Sequence, residues 1–144
     1  MTRKILVGID GSENSLRALQ EAIHMARAYE SKLFVVNVQP TFNAIHTRVF
    51  INDELIKEYQ KELYENATNE ALAILEKENL DYELMMRTGD PVQQICRLAA
   101  ELAVSYIVIG SRGMGLVKGT VLGSVSNGIL HDSHVPVLVI PQKK

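Results

Sequence analysis

Lys4–Ile9, Lys32–Val38, Val104–Ile109 and Val135–Ile140 are nearly continuous in Val, Ile, Leu and Phe. Runs of that kind form strands covered on both faces, as in parallel sheets, rather than strands with one wet face. A further run, Asp81–Met86, is more alternating and reads as a strand with less cover.

Helical patterns lie between the runs. Leu16, Leu19, Ile23 and Ala26 recur at helical spacing after the polar stretch Asp10 to Asn14, and Ile95, Leu98, Ala99 and Leu102 do so after Asp90-Pro91. Pro91 suits a first helical turn, and Asp90 with Gln93 resembles a capping pair. A longer stripe, Ile56, Tyr59, Leu63, Ala67, Ala71 and Ile74, predicts a helix from about Asp53 to Asn79, and a last short helix is expected from about Leu122 to Asp132. The polar connection from Gln39 to Asn52 is expected to move or order on binding.

Strands alternating with helices imply parallel pairing through right-handed crossovers, hence a three-layer α/β/α sandwich with a five-stranded parallel sheet. Pro136 cannot donate to a ladder and belongs on an edge strand. With the alternating third run at the other edge, the expected strand order is 3-2-1-4-5. Its reversal falls between strands one and four, and ligands of open α/β sheets bind outside the carboxyl ends of the strands at such a reversal. Asp10-Gly11-Ser12 and Gly110-Ser111-Arg112-Gly113 are expected there.

The 144 residues fit one domain, 1–144, with no room for a second. Fifteen Lys and Arg against 17 Asp and Glu leave a net charge of −2, which removes the basic footprint that nucleic acid requires. The apolar run after the first residues is too short for a signal or a membrane span. The lone Cys96 gives no internal disulfide and fits a reducing, cytoplasmic setting.

Six of the nine glycines lie between Gly110 and Gly128, in a segment that begins at a strand end and finishes at a helix start. The first N–H groups of a helix and its positive dipole end form a site for phosphate. Gly123, Ser124 and Val125 would present those groups, the hydroxyls of Ser124 and Ser126 would add donors, and Arg112 and Lys118 carry the loop's positive charge. The plainer alternative makes Ser124 a helix cap and the glycines a flexible connection. Gly-x-x-x-x-Gly-Lys-Ser/Thr is absent, and Lys118 stands where a dinucleotide fingerprint needs its third glycine, so neither a P-loop nor a Rossmann site is present. Gly128 falls inside the last helix, which requires either close packing upon it or a weak helix.

Gly110, two residues, Gly113, nine residues, then Gly123-Ser124 resembles the full glycine signature of the ATP-binding branch of the universal stress protein family. The opening Ile5–Ser12 and the closing Val135–Ile140 are similar to that family's first strand and turn and its last strand. The resemblance implies ATP, or alternatively ADP or AMP, with adenine near the main chain at Val38, ribose near Asp10 and Gly110, and phosphates along Gly113 and Gly123 to Ser126. Gly8, Ile109 and Arg112 complete the implied contact set. Asp10 would accept from ribose hydroxyls or meet a phosphate-bound Mg²⁺ through water; the alternative for an isolated Asp is a turn or cap. The resemblance also implies a homodimer through the hydrophobic Val135–Ile140 edge.

These readings make the chain a nucleotide-binding regulatory module, with a slow ATPase or nucleotidyl transferase and a purely structural partner-binding protein as alternatives. No nucleophile elbow supports Ser-His-Asp catalysis. His131 and His134 lack the further ligands a zinc site needs. Cys96 reads as a small apolar residue beside the stripe of its helix, and Met85 and Met86 are expected to divide between core and edge.

Overall fold

The computed structural model describes residues 3–39, 41, 53–112 and 122–143. Strands β1 (Lys4–Gly8), β2 (Lys32–Gln39), β3 (Tyr82–Thr88), β4 (Tyr106–Gly110) and β5 (Val137–Ile140) alternate with helices α1 (Glu13–Ala28), α2 (Asp53–Glu76), α3 (Pro91–Leu102) and α4 (Ser124–Asp132). The sheet has the expected order, β3-β2-β1-β4-β5, and every neighbouring pair is parallel.

Successive strand residues point to opposite faces, and the runs therefore feed two cores. Ile5, Val7, Leu33, Val35 and Val108 pack with Leu19, Ile23, Ala71 and Leu75 of α1 and α2. Leu6, Phe34, Val36, Ile107 and Ile109 pack with Ile95, Leu98, Ala99 and Ile129 of α3 and α4. Each fully buried side chain of this size contributes about 1.5–3 kcal/mol relative to exposure. The three-layer sandwich follows from runs apolar on both sides.

Local signals set the ends of the elements. Ser12 caps α1, its hydroxyl accepting from the Ser15 N–H at 3.1 Å. Asp90 caps α3 by accepting from the Gln93 N–H at 3.0 Å, with Pro91 in the first turn. Strand β4 begins at Tyr106 rather than Val104, because Ala103 ends α3 in the left-handed conformation and the Val104 N–H is spent on the Ala99 carbonyl at 3.1 Å. Strand β5 begins after Pro136, which contributes its carbonyl to the Ile107 N–H at 3.0 Å, the half of a ladder rung that proline retains. Strands β2 and β3 run on to Gln39 and Thr88, beyond the expected Val38 and Met86.

Two helices differ from expectation. Helix α2 stops at Glu76, where the Lys77 and Glu78 N–H groups turn back to Ile74 and Leu75. Its buried residues, Thr68, Ala71 and Leu75, all lie in the C-terminal half; of the expected stripe only Ala71 is among them, and Tyr59 is 51% exposed. Helix α4 starts at Ser124 rather than Leu122, because Gly123 is extended, with ψ 169°, and donates its N–H to the Ser111 carbonyl at 2.6 Å. Gly128 lies where a Cβ would come within 2.6 Å of Val92 Cγ2, so close packing of α4 on α3 explains it. At the β3 edge Met86 is exposed and Met85 packs inward.

Candidate functional site

The carboxyl ends of β1 and β4 are adjacent, with Val7 paired to Val108, and the turns that leave them form the candidate site. After β1, Gly11 has φ 86°, a left-handed conformation that glycine adopts without strain, and a Cβ there would stand 3.1 Å from the Ala67 Cα of α2. Exposed Asp10 accepts from the Ser12 N–H at 2.9 Å through Oδ1, while its own N–H donates to Ser15 Oγ at 3.2 Å. Asp10 thus shapes the turn and presents a carboxylate at the sheet's reversal.

After β4 the chain reaches a three-way junction at Ser111. Its N–H donates to the Ile140 carbonyl of β5 at 2.8 Å, and its hydroxyl donates to Asn14 Oδ1 of α1 at 3.2 Å. Its carbonyl accepts from the Gly123 N–H at 2.6 Å and from the Ser126 hydroxyl at 2.8 Å. The start of α4 is thereby drawn onto the end of β4. A shallow depression of about 280 Å³ opens beside the junction, lined by Ser111, Arg112, Leu122, Val139, Pro141 and Gln142.

The structure separates the expected site residues by role. Gly110 and Gly123 are glycines of close packing: a Cβ on Gly110 would fall 2.9 Å from Asn14 Cγ, and one on Gly123 would fall 3.3 Å from the Ser111 carbonyl oxygen. Gly8 is roofed by Ile95 and Ile109, whose Cδ1 atoms would lie 3.2 and 3.4 Å from an added Cβ. Ile109 is buried, and half-buried Val38 packs in the α3–α4 core. The Ser126 hydroxyl, expected to supply a donor to phosphate, donates instead to Ser111 and Gly123 carbonyls, which leaves its backbone N–H as the group it offers. Ser124 is exposed at the first position of α4, Val125 is half-buried, and Arg112 carries a half-buried side chain whose backbone N–H is held by Asn14. Gly113, with Lys118, lies outside the described residues.

α4 differs from its counterparts at its start. Helices α1 and α3 each have a side-chain cap, whereas α4 begins on Gly123 with no side-chain cap bond. The N–H groups of Ser124, Val125 and Ser126 belong to that first turn, where the helix dipole favours an anion. The donor set suits a phosphate ester. Among the described residues no three of His, Cys, Asp or Glu group to hold a metal ion, and no helix is long and apolar enough to cross a membrane. His131 Nδ1 lies 2.8 Å from Asp132 Oδ1, both exposed.

Three residues near the site had no role in the sequence reading. Asn14 bridges α1 to Arg112 and Ile140. Buried Asn37 donates to the Ile9 carbonyl at 2.9 Å, and its own oxygen accepts from the buried Gln39 amide. The last pair carried a signal: two amides at i and i+2 break the apolar run on one face of β2 at its carboxyl end. Cys96 packs partly against the α3–α4 core; burial, and secondarily the nearby Asp132 carboxylate, push its thiol pKa up, unlike an activated nucleophile.

Fold and site together define an open parallel α/β sandwich whose topological switch point lies between the Asp10 turn after β1 and the Ser111 junction after β4, to which the start of α4 is bonded. The Universal stress protein family model matches residues 1–141, and the chain belongs to that family. Universal stress protein YxiE of Bacillus subtilis is 33% identical, the match covering 97% of this chain and 99% of that protein. A universal stress protein solved in complex with cAMP is 26% identical, covers 96% of each chain and superposes with a TM-score of 0.72. The Archaeoglobus fulgidus universal stress protein solved with dAMP is likewise 26% identical, covers 96% of this chain and 97% of that one, and has a TM-score of 0.69.

Proposed function

We propose that the protein is an adenine-nucleotide-binding regulatory module, with ATP as its ligand and with dimer or partner contacts that respond to occupancy. The observation that carries this reading is the first turn of α4, without a side-chain cap and bonded to Ser111 at the end of β4, the strand beside β1 where the strand order reverses. Support comes from the two related structures, which hold cAMP and dAMP and so share an adenine base and a phosphate.

In this reading the N–H groups of Ser124, Val125 and Ser126, with Gly113, hold the phosphates, and Arg112 supplies neutralising charge. Asp10 accepts from the ribose hydroxyls or approaches a phosphate-bound Mg²⁺ through water. Adenine lies near the Val38 main chain, with Gly8, Ile109 and Gly110 shaping the floor. The module acts as a homodimer through the Val135–Ile140 edge. That edge has 41% exposed Leu138 on an outermost strand, a surface that pairing would cover.

Isothermal titration of the full chain with ATP and Mg²⁺ tests the reading. Saturable binding below millimolar ATP is expected, weakened at least about tenfold in Gly123→Val, whose side chain would push α4 off the Ser111 carbonyl. Absence of binding at millimolar ATP would end it. Sedimentation reporting monomer alone at micromolar concentration would remove the dimer.

A further inference from the structure

Asn14 lies in the first turn of α1 and is 6% exposed, yet both ends of its side-chain amide are engaged with other elements. Its Oδ1 accepts from the Arg112 N–H at 2.7 Å and from the Ser111 hydroxyl at 3.2 Å. Its Nδ2 donates to the Ile140 carbonyl at 3.1 Å. The partners settle which end is which, since a backbone N–H only donates and a carbonyl only accepts. One turn along α1, Arg17 Nη1 donates to the Pro141 carbonyl at 2.6 Å. The exit of β5 is thus tied twice to the helix that follows the Asp10 turn.

The chemistry of this tie is demanding. Ile140 offers one carbonyl, and it receives both the Ser111 N–H and the Asn14 amide. Gly110 admits Asn14 because a Cβ there would overlap its Cγ at 2.9 Å. Few side chains place an acceptor and a donor on one short planar group; Asp has no donor at neutral pH, and Leu has neither. In a buried setting each broken partner bears a desolvation penalty, so the three elements hold together as one unit.

We propose that Asn14 is a positioning residue that couples the cleft to the closing edge strand. It fixes the Arg112 peptide, where the glycine loop begins, and the end of β5 in a single hydrogen-bonded unit, so that a nucleotide held by the loop is registered at Val137–Ile140. The second half of this statement rests on the nucleotide reading above; the first half does not.

Residue-resolved amide hydrogen exchange on the full chain separates the two. Asn14→Asp retains an oxygen for Arg112 and Ser111 but sets a carboxylate oxygen against the Ile140 carbonyl. Without nucleotide, exchange of the Ser111 N–H should accelerate about tenfold while amides of β1 and β2 keep their rates. Arg17→Met, at a half-buried position, removes the outer tie alone and should accelerate Ser111 exchange roughly two- to fivefold, which keeps the test informative should Asn14→Asp not fold. With ATP and Mg²⁺, the wild type should slow exchange both at residues 110–112 and at Val137–Ile140, and Asn14→Asp should confine protection to 110–112.

Unchanged Ser111 exchange in the variants, or acceleration spread evenly over the sheet, overturns the positioning role. Protection absent from β5 in a wild type that calorimetry shows to be loaded overturns the coupling. If calorimetry shows no ATP bound, the coupling falls with the nucleotide reading, and the nucleotide-free comparison still decides the role of Asn14.

Discussion

The Ser126 hydroxyl donates to the Ser111 carbonyl at 2.8 Å, a bond that spans 15 residues and pins the first turn of α4 to the end of β4. A side chain with the chemistry of a phosphate donor is thereby engaged in building the site. Ser126→Ala should cost about 1 kcal/mol of stability, because the Gly123 N–H still satisfies the Ser111 carbonyl. ATP affinity should fall by less than about threefold, since the backbone N–H remains. Chemical denaturation and titration calorimetry check the two halves. A loss of affinity like that of Gly123→Val would mean that the hydroxyl itself binds the ligand.

Gly128 and Val92 give a prediction whose sign depends on context. Alanine improves on glycine by about 1 kcal/mol in a helix interior, but the added Cβ would lie 2.6 Å from Val92 Cγ2, and overpacking costs about 1–3 kcal/mol. Gly128→Ala should therefore lower the melting temperature of the wild type. In a Val92→Ala background the same change should be neutral or stabilising. A double-mutant cycle by thermal unfolding measures the coupling.

Asp10 has two roles that a conservative change separates. Asp10→Asn preserves an oxygen for the Ser12 N–H, which now donates to Oδ1 at 2.9 Å, and so should leave the melting temperature within a degree or two. The negative charge is lost. Mg²⁺-dependent enhancement of ATP affinity should shrink, and affinity in EDTA should change little. Titrations with and without Mg²⁺ test this, and an unaltered Mg²⁺ dependence would leave Asp10 as a turn residue.

Cys96 should alkylate slowly. Burial, then the Asp132 carboxylate, raise its thiol pKa, and raising the pKa of an acid lowers its thiolate fraction at any pH below it. The rate–pH profile with iodoacetamide should be displaced to higher pH in the folded protein than in the guanidinium-denatured chain. A profile displaced to lower pH would reveal an activated thiol instead.

Much of the fold was legible because its causes are local. Apolar runs needing cover on both faces required a parallel sheet between helical layers, and Pro136 pointed to the edge occupied by β5. Boundaries strayed where a cap had first claim on an amide, as at Val104 and Gly123. Of the candidate site, local pattern indicated a location: the Asp10 turn leaves β1 beside β4, and the start of α4 is bonded to Ser111 at the end of β4.

The sequence by itself determined the layers and the strand order, since apolar periodicity and the position of Pro136 are properties of neighbouring residues. Only the tertiary structure decided what Asn14, Ser111 and Ser126 do, and why Gly110 and Gly128 have no side chain. Asn14 meets Ile140 across 126 residues and Ser111 across 97, and neither meeting leaves a trace in local pattern. A polar side chain in a first helical turn has many available partners in the unfolded chain. Packing α1 against β4 and β5 reduces them to those whose donors and acceptors would otherwise be buried without a bond.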